Sequence, residues 1–327
     1  MRIIISPSGK LYGSENVLFD YLKHTKLKID TIYVPRSSPF KTKLDQSNFC
    51  TKGFKNIKWL YIRVLFKSVS SKVNTVYCNE AGHIRYIYLL ALLRPNVKFI
   101  VHVRILEDTP RINRSLKNLT FIAISKTIQK RTIASSQLIY DGYHFSELKK
   151  MIIPRTSKLR IGIVGRITAS KGISLFTEAF IHNCGTNNEF IFIGDIDRNY
   201  ENTKSIETLM AQKNVSFHGF ISEKNQIYSS IDVLLHVNEN EPLGRIFFES
   251  LDFGIPFIGI NQGGIAEIAN KINYPYIFEK KNLAKILKGL SKQEWTFDIV
   301  KIENARNHAL GVFSIAQYTD HLDKIIV

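Results

Sequence analysis

The stretch EPLGRIFFE carries two carboxylates, Glu241 and Glu249, eight positions apart around a Gly-Arg pair. A carboxylate offers two acceptor oxygens, which suits it to the paired hydroxyls of a sugar ring or a ribose. With Pro242 as the first residue of a helix, the amides of Leu243, Gly244 and Arg245 become donors at the positive end of the helix dipole, ready for phosphate or sugar oxygens. Eight residues of helix would then set Glu249 roughly 12 Å along the axis from Glu241, about the span from a sugar across a diphosphate to a ribose. A second stretch, GRITASKG, follows the apolar run RIGIV. Its Gly165 permits a tight turn, while Arg166 grips phosphate oxygens bidentately and Lys171 adds a point charge. Either feature alone also fits a charged surface turn; together they describe a site for a sugar joined to a diphosphate.

Such loops need a scaffold, and the hydrophobic pattern supplies one. In the first half, β-branched runs (MRIIIS, DTIYVP, NTVYCN, KFIVHV, TFIAIS) alternate with helix-like stretches such as ENVLFDYLKH and RYIYLLALLR. The second half repeats the alternation with LRIGIVGR, NEFIFIGD, VSFHGF, VLLHVN and PFIGI. Regular alternation of strand and helix implies parallel sheets covered on both faces, so the chain reads as two doubly wound α/β domains. The expected division is 1–153 and 154–327, with the last helix, about 313–326, packing back on the first domain. In such sheets ligands bind outside the carboxyl ends of the strands, where both charged loops lie.

The chain has 327 residues, 44% of them hydrophobic, enough for two cores. Cys50, Cys78 and Cys184 are an odd set without metal-ligand spacing, which speaks against a disulfide framework or a zinc site and for a reducing compartment. The apolar runs are shorter than a signal peptide's core or a membrane span, so a cytoplasmic location is expected. The net charge of +17 is unevenly placed. Residues 1–150 hold 26 Lys or Arg against 9 Asp or Glu, and residues 151–327 hold 19 of each. The first domain should therefore face something anionic, an acidic membrane surface or a nucleic acid. The segment 52–72, with Lys55, Lys58, Arg63 and Lys67 around Trp59 and Phe66, has the composition of a membrane-surface helix and also that of a core helix with a basic face. Zinc-finger spacing, an RNP-like aromatic pattern and a recognition helix are missing from the sequence, which leaves nucleic acid the weaker choice.

The motifs resemble retaining glycosyltransferases of family 4, of the bacterial surface-polysaccharide type. EPLGRIFFE is similar to that family's E-x7-E motif and GRITASKG to its G-R-x4-K-G loop; LYGSENVLFDYL, IAISKTIQKRT, LIYDGYHFSEL and GIPFIGINQGGIAEI fall in the family's order. Tyr12 stands where the family has the first glycine of a Gly-Gly pair, and Asp141 where it has an asparagine. The resemblance implies the GT-B fold, two doubly wound Rossmann-like domains facing each other across a cleft. It further implies a hexosyl-type transfer with retention, from a UDP-, GDP- or similar nucleotide sugar to a hydroxyl of a glycan or polyprenyl-diphosphate-linked glycan, in polysaccharide or lipopolysaccharide synthesis. Carried over by position, Arg166 and Lys171 hold the diphosphate, Glu249 the ribose and Glu241 the transferred sugar. The Gly165 turn and the Gly244–Arg245 backbone lie against phosphate and sugar, Gly13 belongs to the loop closing over the phosphates, and His102 sits near the sugar.

No cofactor or metal is expected, because the cations already neutralise the phosphates. Asp195 and Asp197 in GDID are the competing oxygen ligands for Mg²⁺ or Mn²⁺. The partners implied are the nucleotide sugar, the glycan acceptor and the anionic inner face of a cytoplasmic membrane. A sugar-nucleotide epimerase, a non-catalytic sugar-nucleotide binder and, more distantly, a nucleic-acid-binding protein are the rival readings.

Overall fold

A computed structural model of the chain describes residues 1–70, 72–146, 158–183, 188–197, 200–292 and 294–327. It divides into two units, Met1–His144 with Val312–Val327, and Phe145–Gly311. The expected boundary at 153/154 and Cys184 lie outside the described residues.

The first unit is a parallel sheet of seven strands among the described residues, ordered β3-β2-β1-β4-β5-β6-β7. The strands are β1 (Arg2–Ile5), β2 (Thr31–Pro35), β3 (Thr51–Phe54), β4 (Thr75–Cys78), β5 (Lys98–Val103), β6 (Leu119–Ala123) and β7 (Ser136–Leu138). Ile3, Ile4 and Ile5 of β1 pair with Thr31, Ile32 and Tyr33 on one side and with Val76, Tyr77 and Cys78 on the other. The connecting helices are α1 (Gly13–His24), α2 (Pro39–Gln46), α3 (Ile57–Ser70), α4 (Ile84–Leu93) and α5 (Lys126–Gln129). The strand order reverses between β1 and β4. Right-handed crossovers running in opposite directions put α1 and α2 on one face and α3 and α4 on the other. The segment 52–72 is thus part edge strand, β3, and part helix, α3, rather than one helix.

The second unit holds β8 (Arg160–Val164), β9 (Glu189–Ile193), β10 (Val215–Phe217), β11 (Val233–His236), β12 (Phe257–Ile260) and β13 (Ile277–Phe278), all parallel. Among the described residues their order is β10-β9-β8-β11-β12-β13. The helices are α6 (Ile173–Asn183), α7 (Tyr200–Met210), α8 (Lys224–Ser229), α9 (Arg245–Asp252), α10 (Gly263–Ile272), α11 (Leu283–Ser291) and α12 (Ile299–Val312). Phe176, Phe180, Phe190 and Phe192 pack ring on ring between α6 and the sheet. Burying such side chains stabilises the unit by about 1.5–3 kcal/mol each.

The final helix, α13 (Ile315–Ile326), belongs to the first unit. Ser314 caps it by accepting from the Gln317 amide, and its stripe Ile315, Tyr318, Leu322 and Ile326 enters the core beside α1. Asp323 accepts from Tyr21 of that neighbour and from Thr25 at its C-terminal cap, both at 2.7 Å. The Tyr143 amide donates to the Phe313 carbonyl, and the Ile315 amide returns a bond to the Tyr143 carbonyl.

Candidate active site

In the second unit the strand order reverses between β8 and β11, the place where doubly wound sheets hold ligands. The loop after β8 runs from Gly165 to Gly172 and enters α6. Its backbone is tied to the loop after β9: Gly165 donates to Ile193, Ile167 to Asp195, and Asp197 back to Ile167. Gly194 is required at this crossing, since a Cβ there would lie 2.0 Å from the Gly165 carbonyl oxygen. Asp195 and Asp197 are exposed on this turn, and among the described residues no group of three or more His, Cys, Asp or Glu is arranged to hold a metal.

The loop after β11 brings Glu241 across to Lys171, whose Nζ lies 2.7 Å from Oε2. The same oxygen accepts from Asn238 Nδ2 at 2.7 Å and lies 3.5 Å from His236 Nε2. Burial works against the charge of Glu241, but the bond from His236 and the Lys171 ammonium outweigh it and hold the carboxyl well below the usual carboxylate range. Glu241 is therefore an anion, aimed and fixed by three donors. His236 and Asn238 were not singled out from the sequence; HVNENE shows polar residues leaving a buried strand, which is the only signal they give.

The helix start differs from expectation. α9 opens at Arg245 with Gly244 before it in the left-handed region, φ 95°, and Pro242 lies outside the helix. The cause is tight packing of this loop on the opening of α10. A Cβ on Gly264 would lie 2.3 Å from Leu243 Cα, and one on Gly244 would lie 2.1 Å from Ile265 Cδ1. The Gly264 amide donates to the Glu241 carbonyl at 2.8 Å. Glu241 is thus a loop residue, and the axial spacing argued from a single helix does not apply. Glu249 does lie on α9, in its second turn, where it accepts from Tyr228 OH at 3.0 Å and pairs with Lys224 at 2.8 Å, both on α8. Arg166 is exposed beside Gly165, and Arg245 is half-buried at the start of α9.

Gly13 and His102 lie in the first unit. Gly13 opens α1 and is exposed. Tyr12 precedes that helix at φ −90°, a backbone conformation open to any residue, so the position does not require glycine. The Tyr12 amide donates to Glu15. His102 is fully buried in β5, with Nδ1 2.5 Å from Tyr77 OH and its ring stacked on Tyr318. Burial, reinforced by Arg104, pushes its pKa well below the ordinary value, so it is a neutral core side chain with no face toward solvent. Its neighbour Arg104 makes two 2.6 Å bonds to Asp141, the residue that replaces the family's asparagine.

Across its whole length the chain superimposes on glycosyltransferases of known structure. Anabaena HepE in complex with UDP and glucose matches with a TM-score of 0.77 over 99% of this chain and 98% of that one, at 19% identity. The lipopolysaccharide outer core galactosyltransferase WaaB matches with a TM-score of 0.73 over 100% and 99%, at 15% identity. The chain has the GT-B fold. Residues 145–294 match the sequence family "Glycosyl transferases group 1". A Klebsiella pneumoniae protein described as an uncharacterized 42.6 kDa protein in the cps region is 26% identical over 120 residues, 37% of this chain and 31% of its own length. The match thus spans about a third of that relative.

Proposed function

We propose that the protein transfers a hexosyl-type sugar, with retention, from a nucleoside-diphosphate sugar to a hydroxyl of a glycan or lipid-linked glycan, in polysaccharide or lipopolysaccharide synthesis. The observation that carries this reading is the Lys171–Glu241 pair, which joins the two loops at the strand-order reversal of the second unit. Support comes also from the match of that unit to group 1 glycosyl transferases and from the UDP and glucose held by the HepE structure.

In this reading the loop Gly165–Gly172 receives the diphosphate. An ammonium carries three donors, so Lys171 can hold Glu241 and a phosphate oxygen together. Arg166 supplies a second cation from the same loop. Breaking the bond from the anomeric carbon leaves negative charge on the phosphate, and fixed cations stabilise that charge most when they need not reorganise. Glu241, kept ionised, accepts sugar hydroxyls and stands near the ring as positive charge grows there. Glu249, steadied by Tyr228 and Lys224, accepts the ribose hydroxyls. No nucleophile is assigned, because same-face attack needs only the acceptor hydroxyl, with the leaving phosphate as base. Neither the buried His102 nor a metal enters the scheme.

The test is a thermal-shift screen of the purified chain against UDP, GDP, ADP and their common sugars, followed by turnover with the stabilising donor. Lys171→Ala and Arg166→Ala should each lose on the order of 10²-fold in turnover, the scale for removing one preorganised donor. Absence of stabilisation by any nucleotide, or full activity in both variants, overturns the assignment.

A further inference from the structure

The outer surface of α3 and α4 combines exposed apolar residues with exposed cations. α3 buries Leu60, Tyr61, Val64 and Ser68 against the sheet. Its opposite side is also apolar. Trp59, Ile62, Phe66 and Val69, spaced 3, 4 and 3 apart, form a second stripe toward solvent, with Trp59 and Phe66 each 69% exposed. An ordinary surface helix is apolar on one face only. The neighbouring α4 repeats the feature with Leu89, Leu92 and Leu93, Leu92 being 59% exposed. Stacking of Tyr61 on Tyr86 at 5.1 Å and a bond from the Arg94 guanidinium to the Ser68 carbonyl hold the two helices side by side.

Positive charge borders this apolar surface on its β3–α3 side. From Gln46 to Asn79 the chain has six Lys or Arg and no Asp or Glu. Lys52, Lys55, Lys58 and Arg63 are exposed there. A groove of about 1070 Å³ runs between α3 and the β3 edge, lined by Arg36, Lys52, Lys55, Trp59, Arg63 and Phe66 among others, again with no acid. Lys67 is different: it bonds Thr31 Oγ1 at 3.3 Å, and burial together with repulsion from Lys52 lowers its pKa.

We infer that this two-helix surface docks on an anionic lipid bilayer, Trp59, Phe66 and the α4 leucines entering the acyl boundary while Lys52, Lys55, Lys58 and Arg63 meet the headgroup phosphates. Apolar residues in two adjacent helices, bordered by cations along the β3–α3 side, match both layers of such an interface, which neither a nucleic acid nor a purely apolar protein partner does. The inference is independent of the reaction proposed for the second unit.

The chain has two tryptophans, so a Trp295→Phe background makes emission report Trp59 alone. Mixed phosphatidylglycerol and phosphatidylcholine vesicles should shift that emission to the blue and shield it from an aqueous quencher, and pure phosphatidylcholine vesicles should not. Phe66→Ser with Leu92→Ser, both at exposed positions, should lower vesicle partitioning by about tenfold or more while thermal melting stays unchanged. Gln at Lys52, Lys55, Lys58 and Arg63 should do the same, Lys67 being left in place because it bonds Thr31. Unchanged Trp59 emission with anionic vesicles, or wild-type partitioning of the double serine variant, overturns the inference. So does an oligonucleotide that shields Trp59 when vesicles do not, or a dimer that the serine variant abolishes in the absence of any vesicle binding.

Discussion

Replacing Lys171 with Met keeps the length of the side chain and removes its charge, leaving the Glu241 carboxylate with His236 and Asn238 as its partners among the described residues. Breaking one half of a buried ion pair costs about 3–5 kcal/mol, because the remaining charge is unpaired. Here the Lys171 side chain is 33% exposed and Glu241 16%, so solvent screens part of the loss and about 2 kcal/mol is expected. For a unit of this size that corresponds to a fall of about 4–8 °C in Tm at neutral pH. The pH dependence follows from the depressed carboxyl pKa. Glu241 contributes stability above its unfolded value, about 4.3, and loses it as pH falls through the lower folded value. The gap between wild type and Lys171→Met should therefore be full at pH 7 and narrow below about pH 4. Adding Glu241→Gln should restore much of the melting temperature, since a neutral amide tolerates the site, without restoring turnover. Calorimetry of the four proteins across pH closes the cycle. If Lys171→Met melts with wild type at pH 7, or if the two substitutions add, the pair is not the electrostatic clamp described.

Three further outcomes are expected. Asp141→Leu, which strands the buried Arg104, should destabilise the first unit by about 3–5 kcal/mol, and Arg104→Met added to it should recover most of the melting temperature. Tyr228→Phe removes one bond from Glu249, so donor KM should rise about three- to tenfold with kcat nearly unchanged. Turnover should persist in EDTA, since the proposed phosphate cations are side chains; complete loss restored by Mn²⁺ would return attention to Asp195 and Asp197.

The sequence made the central strands of both sheets legible, because β-branched runs buried on both faces have few other uses. It concealed three of the four edge strands, β10 having shown in VSFHGF. TKGF, SQL and IF lack the length and the β-branched content that mark β1 or β5, and only pairing with a neighbour makes them strands. The charged loop 165–172 was legible through its spacing. The start of α9 was not, because Pro242 is a favoured first helical residue, while the contact with Gly264 that fixes Gly244 at positive φ comes from a segment twenty positions away. Long-range pairing also explains Asp141: what looks like a departure from a motif is one end of a buried ion pair whose other end is in β5. The surroundings of His102 were hidden for a similar reason, since a histidine near a strand's end can face either the ligand side or the core, and Tyr318 arrives from the far end of the chain to stack on it.

The return of α13 to the first unit has a consequence for how the protein is made. The second unit is in effect an insertion, leaving after His144 and rejoining at Val312, with Tyr143 hydrogen-bonded to Phe313 and Ile315 where the ends meet. During synthesis the second unit emerges whole and can fold on its own contacts. The first cannot close its core until Ile315, Tyr318, Leu322 and Ile326 leave the ribosome. The earliest-made strands are therefore the last to be sealed, and a chain stopped short of α13 would carry a finished second unit attached to an open sheet.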